Sequence, residues 1–171
     1  MKKCMIAVLL VACCALCLAA VSSGRMHFKT AGFSIQPLDA KPGTSTYQAM
    51  MMFLPPSGGF APNVNVQIQP YAGTIDEYVA LSRKEFLARK LKKVNEAKLG
   101  KTGFLFEYTG NVRGVSMHWY SKAVSTGKRV YLASATAPEA QWPAVSAKLK
   151  ACVDSLRVDE GKPATVPARR P

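Results

Sequence analysis

His118, Tyr120 and Lys122 alternate along the segment Val115 to Lys122 and would share one face of a strand. A histidine so placed could act as a general base, and with Tyr120 it would form the core of a hydrolytic centre. No nucleophile or orienting acid lies at a recognisable spacing, so the sequence predicts no catalytic residue, and His118 reads as a half-exposed sheet residue. His27 is the one other imidazole, too few for a histidine metal site. Met50, Met51 and Met52 have the thioether chemistry that suits Cu(I). Strand alternation would turn Met51 away from its neighbours, and methionine commonly fills gaps in cores. No metal and no cofactor is therefore expected.

Two glycine-containing segments resemble parts of phosphate-binding loops. Gly100-Lys101-Thr102 has the right ending, but the earlier glycine position holds Asn95 and a strand-like run, Phe104 to Tyr108, follows where a helix is required. Gly58-Gly59 lies in the loop Pro55 to Pro62, without the strand-to-helix context, and reads as a turn. Nucleotide binding is not expected. Phe60 in that loop is either tucked beneath it or offered to a partner. Asn63, Asn65, Gln67 and Gln69 form a row of carboxamides opposite Val64, Val66 and Ile68. Such a row can bind sugars or peptides, but a solvated sheet face is the plainer reading.

The strongest charge signal is Arg83, Lys84, Arg89, Lys90, Lys92 and Lys93, at the exit of the one long amphipathic stretch, Thr74 to Lys93. Cations near a helix C-terminus interact favourably with its dipole, which explains some of this cluster without requiring all six. The whole chain carries 23 Lys and Arg against 10 Asp and Glu. A surface of this sign favours anionic lipid, envelope polymers or an acidic protein, although net charge can also serve solubility alone.

The beginning of the chain supplies an address. Lys2 and Lys3 precede an almost wholly apolar run from Cys4 to Val21, the pattern of an export signal. Ala20 and Ser22 allow cleavage after Ser22, giving residues 1–22 as a signal peptide. Alternatively, Leu10-Val11-Ala12-Cys13 has lipobox form and would lipidate Cys13, or the run stays as an uncleaved anchor. Each reading puts the domain outside the cytoplasm, in the periplasm or beyond, where no nucleic acid is expected. Contact with a membrane follows directly from a lipid at Cys13 or from a retained leader. Cys4, Cys13, Cys14 and Cys17 belong to this leader, which leaves Cys152 without an internal disulfide partner and the domain dependent on its core.

The elements that must position these residues read as strands, helix, strands, helix. Met26 to Thr30 and Phe33 to Gln36 suggest a small hairpin. Tyr47 to Leu54 suggests a strand covered on both faces, with Tyr47, Ala49, Met51 and Phe53 to one side. Thr74-Ile75-Asp76-Glu77 is a capping box opening a helix whose Ile75, Val79, Ser82 and Phe86 face a core. Further strands follow, with turns expected at Thr109-Gly110-Asn111 and Ser125-Thr126-Gly127. A last helix is expected from about Pro138 to Ser155, burying Trp142, Val145, Leu149, Cys152 and Leu156. Residues 159–171 read as a disordered basic, proline-rich tail. One domain over residues 25–158, an α+β antiparallel sheet sandwiched between helices, accounts for the pattern.

Gly32-Phe33-Ser34-Ile35-Gln36-Pro37, the alternating strand Asn63 to Gln69, the Thr74-Ile75-Asp76-Glu77-Tyr78 helix start, and Trp142 with Cys152-Val153-Asp154-Ser155-Leu156-Arg157-Val158 together resemble the PsbP-like superfamily. The resemblance spans residues 26 to 158 and carries no active-site motif. It implies an α/β/α sandwich used as a binding module, in a superfamily that includes many exported bacterial proteins of unknown role. The function expected is a non-catalytic accessory module of the cell envelope that binds a protein partner or assembly, with anionic lipid or polymer as the alternative target.

Overall fold

A computed structural model describes residues 26–28, 32–35 and 46–158. The leader with Cys13 and the tail 159–171 lie outside the described residues. The chain divides into two units, Met1–Pro42 and Gly43–Pro171. In the first, β1 (Met26–Phe28) and β2 (Phe33–Ile35) pair antiparallel.

The second unit contains β3 (Tyr47–Phe53), β4 (Asn63–Pro70), α1 (Ile75–Ala88), β5 (Lys92–Leu99), β6 (Gly103–Val112), β7 (Val115–Ser125), β8 (Arg129–Pro138) and α2 (Trp142–Asp154). Its six strands form one sheet in the order β3-β4-β8-β7-β6-β5, every neighbouring pair antiparallel. From β4 the chain crosses by way of α1 to the far edge at β5. It then returns strand by strand until β8 slots in beside β4. The architecture is the α+β class expected: an antiparallel sheet with a helix on each face.

Alternation along the strands builds two separate cores. On one face Ile75 and Val79 of α1 pack on Phe104, Phe106, Ala123 and Val130. On the other, Trp142, Leu149 and Val153 of α2 pack on Leu105, Tyr120 and the alternate alanines Ala133, Ala135 and Ala137. Three small side chains in that row let the helix lie close to β8. Val153, fully buried, joins the stripe expected for α2, while Cys152 beside it is half-buried.

Several boundaries differ from those the sequence suggests, each for a local reason. The basic stretch is not one helix to Lys93. Arg89 caps α1, Lys90 takes a left-handed conformation at φ +56, and Lys92 and Lys93 already belong to β5. The expected turn at Thr109 to Asn111 is strand. The chain reverses instead at Arg113-Gly114, both at positive φ, with the Asn111 side chain accepting from the Gly114 amide. Gly110 pairs with Met117 within the strand, and its missing Cβ leaves room for the Leu91 side chain. Pro138 ends β8, and α2 begins only at Trp142.

The strand β3 is an edge strand, not a covered one: Met50, Met51, Met52 and Phe53 are all exposed. An irregularity between Gln48 and Met50 shifts its register. Tyr47, Met50 and Met52 therefore pair with Ile68, Val66 and Val64, while Gln48, Met51 and Phe53 pair with Gln67, Asn65 and Asn63. The carboxamide row is not a freely solvated face. Asn63 is buried, Asn65 donates to the Ser134 carbonyl, and Gln69 accepts from Tyr78 Oη and donates to Gln67.

Candidate functional site

The basic residues singled out in the sequence converge where α1 ends against β5. Helix α1 is fixed there from both of its ends. At its start Thr74 Oγ1 accepts from the Glu77 amide, while the Glu77 carboxylate accepts from the Thr74 amide at 2.7 Å. The adjacent Asp76 accepts from Lys98 of β5 at 2.8 Å. Toward the exit, Phe86 stacks on Tyr108 with ring centroids 4.4 Å apart and meets Phe106 edge-on at 5.4 Å. Tyr108 in turn stacks on Trp119. Aromatic pairs of this kind contribute about 0.5–1.5 kcal/mol each beyond their buried area, so the helix exit is held firmly in place.

The six cations divide by partner. Arg83 reaches Glu96 of β5 through two hydrogen bonds, at 2.8 and 3.2 Å, and Lys93 approaches the same carboxylate at 3.1 Å. Hydrogen bonding from Arg83, reinforced by Lys93, outweighs partial burial and holds the Glu96 carboxyl below its ordinary range. Arg89 lies 3.5 Å from Glu85. Lys84, Lys90 and Lys92 are exposed and make no ion pair among the described residues. Three of the six cations thus share two carboxylates and three have none among the described residues, leaving a local excess of positive charge.

Apolar surface lies among these charges. A cleft of about 260 Å³ opens between α1 and β5, floored by Phe86, Leu91, Phe106 and Tyr108 and rimmed by Arg83 and Lys93. Leu87 on the helix is 77% exposed and Val94 on the strand 54%. The pairing of β5 with β6 slips between Lys93 and Asn95, so Val94 sits at a bulge. This is apolar surface set among charges and suited to binding, and the Glu96 carboxylate within it is already engaged by Arg83 and Lys93.

Phe60 is remote from that cluster in sequence and is held within its own turn. Its amide and carbonyl pair with those of Ser57 around Gly58-Gly59, both at positive φ, and the Gln141 side chain donates to the Ser57 carbonyl. Phe60 is half-buried.

His118 departs furthest from expectation. It is 5% exposed and not half-exposed, and its ring stacks on Trp142 with centroids 3.9 Å apart. Nδ1 lies 2.9 Å from Glu139 and Nε2 lies 2.9 Å from Glu107. A ring with both nitrogens protonated donates to both carboxylates, and a neutral ring leaves one contact without a proton. Lys150 of α2 approaches Glu107 at 2.7 Å and lies over the Tyr120 and Trp142 rings. Tyr120 donates to Asp154, and burial followed by that carboxylate raises its hydroxyl pKa. Neither ring nitrogen of His118 is presented to solvent, and the cluster binds α2 to the sheet. Glu107, Glu139 and Lys150 were not picked out by spacing. The available signal was Glu107 itself, one carboxylate within the apolar run Phe104 to Tyr108.

No family model matches this sequence, and no curated protein matches it. Among solved structures it is similar to PA94, a protein of unknown function from Pseudomonas aeruginosa, at 16% identity and a TM-score of 0.60, over 80% of this chain and 97% of that one. Likeness at this identity establishes a shared fold.

Proposed function

We propose that this protein is a non-catalytic binding module working outside the cytoplasm, which docks through the α1–β5 face on an anionic component of the cell envelope. The observation that carries the reading is the set Lys84, Lys90 and Lys92, three exposed cations without acidic partners among the described residues, which neighbour in sequence the Arg83 and Lys93 that line an apolar cleft. The apolar leader supports an extracytoplasmic address. The PsbP-like resemblance supports a binding module, and the buried, fully engaged His118 favours that reading over hydrolysis.

A protein partner is favoured by a second observation, the uncharged outer edge of β3. Edge strands are commonly guarded by charge, as β5 is by Lys92, Lys93 and Lys98, whereas β3 offers Met50, Met51, Met52 and Phe53. An extended segment of a partner could add to such an edge.

One experiment separates the two. The exported protein is compared with Lys84→Gln/Lys90→Gln/Lys92→Gln, with an equal-charge control, Lys101→Gln/Lys128→Gln/Lys148→Gln, and with Met51→Lys. Retention on immobilised heparin and crosslinking in the envelope fraction are read for each. The α1–β5 reading expects the first triple variant alone to lose most of its retention. Equal losses in both triple variants would reduce the effect to net charge. Loss of crosslinked product in Met51→Lys alone would move the function to β3.

A further inference from the structure

We infer that the anionic component is the surface of a phospholipid bilayer, with Leu87 and Val94 entering the interface and Lys84, Lys90 and Lys92 bracketing them at the level of the phosphates. The inference rests on the α1–β5 reading above and names its target. Charge complementarity selects an anionic occupant, and the apolar side chains then select among anionic occupants. A soluble polyanion gives Leu87 nothing to bury against, yet this side chain stands 77% exposed at a cleft that Arg83 and Lys93 also line. A bilayer meets both demands. Apolar side chains reach below the headgroups while long basic side chains extend back to them.

Two backbone irregularities coincide with the patch. Lys90 occupies a left-handed conformation in which glycine is the usual residue, and Val94 sits at the bulge in β5. The bulge and the lysines of β5 could serve only to guard an edge strand. That explanation does not reach Leu87, Lys84 or Lys90, which lie on the helix and its exit, where there is no edge to guard. Local irregularity at Val94 and at the bracketing Lys90 fits side chains set out for contact.

The test uses the exported protein carrying Leu87→Trp, with the parent protein subtracting the emission of Trp119 and Trp142. Vesicles of phosphatidylglycerol are expected to blue-shift the added tryptophan, and brominated acyl chains to quench it; vesicles of phosphatidylcholine should do neither. Because the reporter sits in the patch, an apolar leader that also inserts does not supply the signal. Adding Lys84→Gln, Lys90→Gln and Lys92→Gln should weaken the response on the order of 100-fold, at roughly a factor of five per lysine near an anionic surface. Separately, Val94→Ser should weaken the vesicle response, and an unaltered response would take Val94 out of the interface. Retention on heparin without quenching in phosphatidylglycerol would overturn the bilayer inference and leave the α1–β5 reading standing. Absence of both responses would overturn the two together.

Discussion

Glu107 illustrates how one side chain can be conspicuous in sequence while its purpose stays hidden. A carboxylate in an apolar strand must be paired or neutralised. Its partners come from the neighbouring strand, as His118, and from α2, as Lys150, so no fixed spacing connects them. Burial alone would raise its pKa, but Lys150 and then His118 more than offset this and hold it below the ordinary value. With the folded value below the unfolded one, the unfolded state takes up the proton first as pH falls. The stability gained is complete above the unfolded carboxyl range, near about pH 4.3, and is lost as pH falls through it toward the lower folded value. Glu107→Gln should therefore be less stable at neutral pH, by up to about 3–5 kcal/mol for a broken buried pair. Its denaturation midpoint should also vary less with pH in the acid limb than that of the parent. Parallel acid limbs for the two proteins in urea melts would show that Glu107 is not the group responsible.

The elements were legible wherever their signals were local. The capping box of α1 and its Ile75, Val79 and Phe86 stripe were readable because both rest on residues three or four apart. The end of α1 was not, because the apolar and basic residues from Leu87 to Lys93 continue without the glycine that commonly marks a helix stop. The chain stops there nevertheless: the Lys90 amide donates to the Leu87 carbonyl and the Leu91 amide to the Phe86 carbonyl, with Lys90 left-handed. In β3 the irregularity between Gln48 and Met50 defeated simple alternation in the same way. Placing lysine where glycine is favoured costs stability, so Lys90→Gly should stabilise the fold by about 0.5–1 kcal/mol in thermal or urea melts. The same variant should bind anionic vesicles roughly five-fold more weakly, having lost one cation from the patch. A stabilised protein that binds less well separates the two roles of this position. Unchanged binding would remove Lys90 from the site.

At the scale of the whole chain, topology was readable only where loops are short. The run β5-β6-β7-β8 follows from its tight connections, whereas the insertion of β8 beside β4 joins segments separated by α1 and three strands, and no local pattern announces it. The candidate site has the same character. Its basic residues were visible as a run, but the cleft needs β6 beneath them, and the division into paired and unpaired cations needs Glu96 brought up from β5. Two kinds of electrostatics therefore coexist in the protein, and salt separates them. The exposed pairs Arg83–Glu96, Arg89–Glu85 and Lys98–Asp76 add little to stability, commonly about 0–1 kcal/mol each, and the two apolar cores are not weakened by screening. Attraction between the unpaired lysines and an anionic surface acts through solvent, where the screening length shortens from about 10 Å at 0.1 M salt to about 3 Å at 1 M. Raising salt across that range should release the protein from phosphatidylglycerol vesicles in a sedimentation assay while moving its thermal midpoint by no more than a few degrees. Binding that survives the higher salt would mean that Leu87, Val94 or the leader supplies the affinity and the cations only steer the approach. A midpoint that collapses with binding would mean that the basic face is part of what holds the fold together.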